Sequence, residues 1–316
     1  MSQQFKVARI WDETSEIRCF ELVPEDGHTL HAPEPGAHID VHIADKLIRQ
    51  YSLWNGPEDT RSYFIGVKKE AESRGGSAGM HGLAAGNLLT IGSPKNNFPM
   101  DADARKSILI AGGIGITPLL SMARYLAAEG RSYELHLFAR SETHAPFKDL
   151  LGSLGNASFH LGLQAEARDA LVDEILAGGK AEGAHVYTCG PKPFMNLIVT
   201  TAERQGWNPD RVHLEYFSAD LPEASADDTA IEVVLAKSGR AIVVAPDQTI
   251  TDALIAEGVD ILTSCEQGVC GTCLTTVLEG EPDHRDVYLN PAERKANKTM
   301  LPCVSRCRGK RLVLDL

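Results

Sequence analysis

The chain has 316 residues, 43% hydrophobic and 23% charged, a size and balance suited to two or three globular domains. Its net charge of −12 argues against a nucleic-acid partner. No run approaches the roughly 18 apolar residues that cross a bilayer, and the start Met1-Ser2-Gln3-Gln4 lacks a basic-then-apolar leader. A cytoplasmic protein with no membrane partner is therefore expected.

Residues 1–102 read as short strands separated by turn clusters such as Pro24-Glu25-Asp26-Gly27, Pro33–Gly36 and Asn55-Gly56-Pro57. Ile39, Val41 and Ile43 alternate on one face, as do Tyr63, Ile65 and Val67, and Leu88–Ile91 is a further short strand. Many short antiparallel strands at this spacing predict a small closed β-barrel. Arg49-Gln50-Tyr51-Ser52 falls on a strand, with Arg49 and Tyr51 on one face and Gln50 and Ser52 on the other. Further on, Val67 and Lys68 lead through polar residues to Gly75-Gly76-Ser77 and a helix over Ala78–Ala85, with Ser77 as its N-cap. Glycines before a helix start expose N–H groups to an anion, and Arg49 can fork onto the same phosphate. The plainer reading is a surface arginine and an ordinary turn. His28, His31, His38 and His42 lack a completing carboxylate or cysteine nearby and read as exposed histidines rather than a metal site.

Over residues 103–218 the pattern changes. Ser107–Ala111 is a buried apolar strand that runs into Gly112-Gly113-Ile114-Gly115-Ile116-Thr117-Pro118 and an amphipathic helix, Leu119–Ala128. Strand 134–139 ends at Arg140, a helix lies around Leu171–Leu176, and strand His185–Cys189 runs into Gly190-Pro191 and a helix near Pro193–Glu203. This succession predicts a doubly wound α/β domain with its ligand at the strand C-terminal ends. The Gly-rich turn is not G-x-G-x-x-G, yet close backbone approach and a helix N-terminus still suit a pyrophosphate. An NADP site gathers several cations, whereas only Arg140 stands at the strand end with Glu142 beside it. That choice favours NADH.

Residues 219–229 are small, polar and acidic, as in a linker. In residues 230–316, Ile231–Leu235 and Ala241–Val244 form a hairpin, a helix follows near Asp252–Glu257, and strands are expected at Cys273–Leu278 and Arg311–Leu316. Between them stands Cys265-Glu266-Gln267-Gly268-Val269-Cys270-Gly271-Thr272-Cys273, with Cys303 beyond a gap of 29 residues and Cys307 after it. The spacing C-x4-C-x2-C…C is that of a plant-type [2Fe-2S] cluster, and Gly268 and Gly271 let the loop wrap closely around it. Zinc would more naturally use two C-x2-C pairs, and seven cysteines are an odd number for a disulfide framework.

The tetrad Arg49–Ser52, the Gly75-Gly76-Ser77 turn, Gly112–Pro118, Cys189-Gly190-Pro191 and the C-terminal cysteine pattern together resemble the phthalate dioxygenase reductase family. That family belongs to the ferredoxin–NADP reductase superfamily and includes vanillate demethylase reductases. The resemblance implies a multi-domain α/β plus all-β chain: an antiparallel flavin-binding β-barrel, a doubly wound α/β nicotinamide domain and a C-terminal β-grasp ferredoxin domain. It implies FMN, with Arg49 on the flavin phosphate, Tyr51 against the ring and Ser52 near its reactive nitrogen. Val67, Lys68, Gly75, Gly76 and Ser77 complete the flavin site. Gly112, Gly113, Gly115, Thr117, Arg140, Cys189, Gly190 and Pro191 are assigned to the nicotinamide dinucleotide, with Thr117 and Cys189 nearest the nicotinamide. Phe217, or else Tyr216, packs against the flavin. Cys303 is preferred over Cys307 as fourth cluster ligand because Leu301-Pro302-Cys303-Val304-Ser305 resembles the ferredoxin setting. The activity implied is a monomeric reductase that passes electrons from NADH to FMN, to the [2Fe-2S] cluster and on to a Rieske-type oxygenase. A cytochrome-directed reductase is the alternative, and an iron–sulfur sensor would need no hydride-competent nicotinamide domain.

Overall fold

Strand β1 (Gln3–Asp12) buries Phe5 and Val7, then loses its alternation at a bulge between Val7 and Arg9. It pairs with β2 (Ile17–Pro24), and β3 (His38–Ala44), β4 (Leu47–Ser52), β5 (Tyr63–Lys68), α1 (Gly76–His81) and β6 (Leu88–Ile91) follow. The computed structural model describes residues 2–44, 47–73, 75–219 and 228–316. The six strands run in the order β4-β3-β6-β1-β2-β5, with antiparallel pairings. The two edges meet through a Leu53–Ile65 bridge and the Trp54 N–H, which donates to the Phe64 carbonyl at 3.1 Å. Closure removes exposed edges and leaves Phe5, Phe20, Leu22, Ile39, Leu53 and Ile65 fully buried inside, as expected of a small barrel.

The α/β part comprises β7 (Lys106–Gly112), α2 (Ile116–Ala128), β8 (Tyr133–Ala139), α3 (Lys148–Ser153), β9 (Ala157–Leu161), α4 (Ala165–Gly179), β10 (Ala184–Cys189), α5 (Lys192–Arg204) and β11 (Val212–Glu215). Its strands are all parallel, in the order β11-β10-β7-β8-β9. The chain leaves β7 toward one edge and returns on the other side, so the topological switch point lies between β7 and β10. A ligand crevice is expected at their carboxyl ends. Barrel and sheet share one core: Ile17, Cys19, Trp54 and Phe98 pack with Leu109, Ile116, Leu119, Met122 and Tyr187. Arg124 of α2 reinforces that joint, donating to the Trp54 carbonyl at 3.1 Å and pairing with Asp59 at 2.8 Å and with Glu58. Residues Met1–Phe217 accordingly form one compact unit.

The second unit, Ser218–Leu316, contains β12 (Ile231–Leu235), β13 (Ala241–Val244), α6 (Ile250–Ala256), β14 (Thr275–Glu279), β15 (Pro282–Asp283), α7 (Pro291–Ala296), β16 (Thr299–Met300), β17 (Arg306–Cys307) and β18 (Arg311–Leu314). The sheet order is β13-β12-β18-β14-β16, with β18 parallel to β12 and the other pairings antiparallel. Helix α6 packs its Ile250, Ala253 and Leu254 into the core against Val233, Val244 and Leu312, the β-grasp arrangement.

Several sequence expectations are corrected. The helix expected over 78–85 is Gly76–His81, and its N-cap is Gly75 in the left-handed region at φ 88°, not Ser77. Ser77 instead accepts the Glu70 N–H at 3.1 Å. The expected strand at 273–278 begins at Thr275, which leaves Cys273 in the loop. The last strand ends at Leu314, and the helix near 171–176 is the middle of the longer α4. His38 is buried rather than exposed, opposite Ser52 on β4. Of the linker expected at 219–229, residues 220–227 lie outside the described residues.

The switch point is held by backbone contact. A Cβ on Gly115 would lie inside van der Waals distance of the Cys189 carbonyl and 2.7 Å from the Gly190 N. Gly115→Ala is therefore expected to lower stability by about 1–3 kcal/mol, as overpacking does. Thermal or urea unfolding measures it, and an unchanged midpoint would contradict this packing.

Candidate functional site

At the barrel rim, Arg49 and the Gly75-Gly76 turn come together. A Cβ on Gly76 would sit 2.7 Å from Arg49 Cγ and 2.9 Å from Nε, so the arginine side chain passes close over Gly76. Gly75, at φ +88°, would carry its Cβ 3.2 Å from Leu47. Tyr51 is half-buried against the barrel core, and burial raises its hydroxyl above the ordinary phenol range. Ser52 is buried on the opposite face of the strand, as alternation requires. Val67 is buried and its carbonyl accepts from His81 Nε2 at 2.9 Å, which ties α1 to β5. Lys68 pairs with Glu70 at 3.1 Å. A guanidinium beside a Gly-Gly turn with an aromatic ring on the same strand fits a phosphate-bearing flavin.

The barrel's Gly66 faces the Gly-rich turn of the α/β part. A Cβ there would lie 3.3 Å from Thr117 Cγ2 and 3.4 Å from Ile114. Thr117 is buried and its hydroxyl donates to the Ile114 carbonyl at 3.0 Å, which fixes the turn that enters α2. Across the switch point, a Cβ on Gly112 would meet Pro191 Cδ at 2.8 Å, and one on Gly190 would meet Gly112 Cα at 3.0 Å. Gly112, Gly115, Cys189, Gly190 and Pro191 are thus gathered by the fold. Gly113, at φ +56°, has open space about its Cα. Cys189 is fully buried, and burial, with the Glu215 charge adding, raises its thiol well above the ordinary value. Arg140 donates to Glu16 of the barrel at 2.7 Å, while Glu142 pairs with Lys148. Past β11, Phe217 is 41% exposed whereas Tyr216 is half-buried, so Phe217 is the ring available to a ligand.

One residue of this region was not foreseen. Glu215 stands beside Cys189 in the β10–β11 pairing, its Oε2 has no hydrogen-bond partner among the described residues, and burial pushes its carboxyl up to about 8. Its only sequence signal is an acid inside His213-Leu214-Glu215-Tyr216-Phe217. The native carboxyl keeps a proton that the unfolded one loses near its ordinary value of 4.5. Glu215 therefore supports the folded state most fully below that value, and this support is lost as pH rises through about 8. Glu215→Gln should raise the melting temperature relative to wild type by an amount that grows from pH 5 to 8.5, reaching several degrees. A pH-independent difference in differential scanning fluorimetry would contradict a buried neutral carboxyl.

In the second unit, Cys270, Cys273 and Cys303 are buried and Cys265 is half-buried. The thiols lie in pairs: a hydrogen bond between Cys265 and Cys270 lowers Cys270 and raises Cys265, and one between Cys273 and Cys303 lowers Cys273 and raises Cys303. The Gln267 N–H donates to Cys265 Sγ at 3.3 Å and the Thr272 N–H to Cys270 Sγ at 3.5 Å, as suits thiolate ligands. Gly268 and Gly271 hold φ near +70°, and a Cβ on them would strike Val304 at 2.6 Å and Tyr288 at 2.5 Å. Four such thiols would suit a [2Fe-2S] cluster, with Cys265, Cys270, Cys273 and Cys303 as the residues to hold it. Cys307 instead receives the Gly309 N–H at 3.3 Å and donates to the Arg311 carbonyl at 3.4 Å, within the bend that follows it. Cys303→Ser should therefore lose the cluster while Cys307→Ser keeps it, by iron and sulfide content. The reverse pattern would reassign the fourth ligand.

Residues 233–308 match the family described as a 2Fe-2S iron–sulfur cluster binding domain. The chain is 45% identical over 305 residues to a vanillate O-demethylase oxidoreductase of a Pseudomonas species, covering 95% of this chain and 96% of that one. A solved phthalate dioxygenase reductase, titled a modular structure for electron transfer from pyridine nucleotides to [2Fe-2S], is 33% identical with a TM-score of 0.74, over 100% of this chain and 98% of that one. An intact type IV self-sufficient cytochrome P450 monooxygenase gives 35% identity and a TM-score of 0.86, with this chain spanning 41% of its length. Fold and site thus define an oxidoreductase that uses a flavin and NAD(H) and carries its own [2Fe-2S] domain. The chain belongs to the phthalate dioxygenase reductase family. Among the described residues no helix is long and apolar enough to cross a membrane.

Proposed function

We propose that this protein is the reductase component of a two-component oxygenase system, with NADH as donor, FMN as flavin and a Rieske-type oxygenase as acceptor. Three assignments follow: residues 1–102 hold the flavin, 103–218 the nicotinamide dinucleotide and 230–316 the cluster. The observation that carries the reading is the coexistence, in one chain, of Arg49 close over the Gly75-Gly76 turn, a glycine-lined switch point and four cysteines spaced C-x4-C-x2-C…C. The 45% identity to a vanillate O-demethylase oxidoreductase supports an oxygenase as acceptor.

A flavin bound at the rim supplies the conversion between a two-electron hydride donor and a one-electron cluster. The chain's own groups position the reactants. Arg49, with Gly75, Gly76 and Ser77, holds the phosphate, and Tyr51, Ser52, Val67, Lys68 and Phe217 surround the ring. Gly112, Gly113, Gly115, Gly190 and Pro191 let the dinucleotide approach the backbone, Thr117 and Cys189 line its nicotinamide end, and Arg140 stands at its adenosine end. Cys265, Cys270, Cys273 and Cys303 bind the cluster. We also assign the protein to the cytoplasm as a monomer. A haem oxygenase as acceptor is a second reading, favoured by the TM-score of 0.86 to a self-sufficient cytochrome P450.

Anaerobic titration with NADH, followed by visible absorption and electron paramagnetic resonance, tests the path. Bleached flavin bands with a reduced [2Fe-2S] signal are expected. Flavin reduction without a cluster signal would sink the assignment of the four cysteines. Extraction and chromatography of the flavin decides FMN against FAD. Electron delivery to a purified Rieske oxygenase or to a haem oxygenase separates the two acceptors.

A further inference from the structure

Arg140 stands at the carboxyl end of β8, the second strand of the α/β part. Dinucleotide domains of this topology choose at that place between a ribose 2′-hydroxyl, met by an acid, and a 2′-phosphate, met by an arginine. An arginine alone would favour NADPH. Here the guanidinium is already engaged: Nη2 donates to Glu16 Oε2 at 2.7 Å, across 124 positions of sequence. Glu16 belongs to the β1–β2 turn of the barrel, and that turn is rigidly built. The Glu13 N–H donates to the Ile17 carbonyl at 2.8 Å, and the Thr14 hydroxyl accepts the Glu16 and Ile17 N–H groups at 3.2 and 3.0 Å. Glu13, from the same turn, accepts the Phe147 N–H at 2.7 Å, so the loop after β8 is held at a second point.

Further nitrogen groups lie near the same carboxylate. His144 Nε2 lies 4.0 Å from Glu16 Oε1, and its ring is held by Ser141 Oγ, 2.7 Å from Nδ1. The hydrogen bond from Arg140, and the charges of Arg140, Lys68 and His144, keep Glu16 below the ordinary carboxylate range. A guanidinium, an imidazole and a nearby ammonium are the groups a phosphate would seek. Glu142, the acid that sequence pointed to, is instead engaged with Lys148.

We propose that Glu16, contributed by the barrel, determines nucleotide specificity by occupying Arg140 and placing a fixed negative charge where a 2′-phosphate would bind. The inference rests on reading residues 103–218 as the nicotinamide domain. A 2′-phosphate must displace the carboxylate and then lie beside it, whereas a 2′-hydroxyl donates to it without displacement. The pair is solvent-exposed and contributes little to stability, so its removal leaves the fold intact.

The test uses the holoprotein with Glu16→Gln and Glu16→Ala, and two probes, 2′,5′-ADP and 5′-AMP, by isothermal titration calorimetry. The ratio of kcat/KM for NADPH over NADH gives a second readout. Both the affinity ratio and the kinetic ratio should rise about tenfold toward the 2′-phosphorylated ligand, the scale of one charge-assisted bidentate contact. Adding Arg140→Ala should abolish the gain. No rise in either Glu16 variant, or a gain that survives without Arg140, would overturn the inference. An equal rise in Glu142→Gln would also overturn it, because any lost negative charge would then suffice. If neither probe binds wild type, the nucleotide-site reading itself fails and takes the inference with it.

Discussion

The contact on which the switch point of the α/β part depends is the close approach of two Gly-containing turns. Gly112–Gly115 leaves β7 and Cys189–Pro191 leaves β10, and Gly112, Gly115 and Gly190 sit where a methyl group would strike the other turn. Parallel topology puts both turns at carboxyl ends flanking the switch point, so their N–H groups and the start of α2 open into one crevice. The same turn sets the distance to the barrel, since Thr117 and Ile114 rest against Gly66. A side chain at Gly112, Gly115 or Gly190 would push the two turns apart, and one at Gly66 would crowd Thr117 and Ile114.

The barrel and the α/β part are joined by a shared core and by charges directed across the joint. Arg124 of α2 reaches the barrel's Asp59 and Glu58, while the barrel's Glu13 and Glu16 reach the loop that follows β8. Glu13, which accepts the Phe147 N–H, ties the hairpin turn to the loop after β8, and the exposed Glu16–Arg140 pair lies beside it.

Much of this was legible from the sequence, for identifiable reasons. Cysteine spacing and Gly-rich strand-to-helix turns are local patterns imposed by the chemistry of a cluster and of a pyrophosphate. The change from short antiparallel strands to a β-α-β succession followed from hydrophobic periodicity, while the β-grasp domain was implied by the family resemblance. Strand β1 was not singled out because the bulge between Val7 and Arg9 breaks its period of two. Helix α3 and strand β9 are short, six and five residues, and half-buried, which leaves little pattern to read. Ser77 carries good capping chemistry, yet left-handed Gly75 took the cap, and the hydroxyl went to Glu70. The Glu16–Arg140 pair and the burial of Glu215 and His38 depend on residues far apart in the chain, which no local window contains.

The pairing of Cys273 with Cys303 has a consequence beyond ligation. The two thiols bracket a segment of 29 residues that carries β14, β15, α7 and β16, including the strand beside the central β18. A cluster bound to both acts as a covalent staple that closes this segment into a loop. A cross-link of that span removes about 3–4 kcal/mol worth of freedom from the unfolded chain. Holding the cluster would therefore favour the folded form of the second unit as well as equip it for redox chemistry.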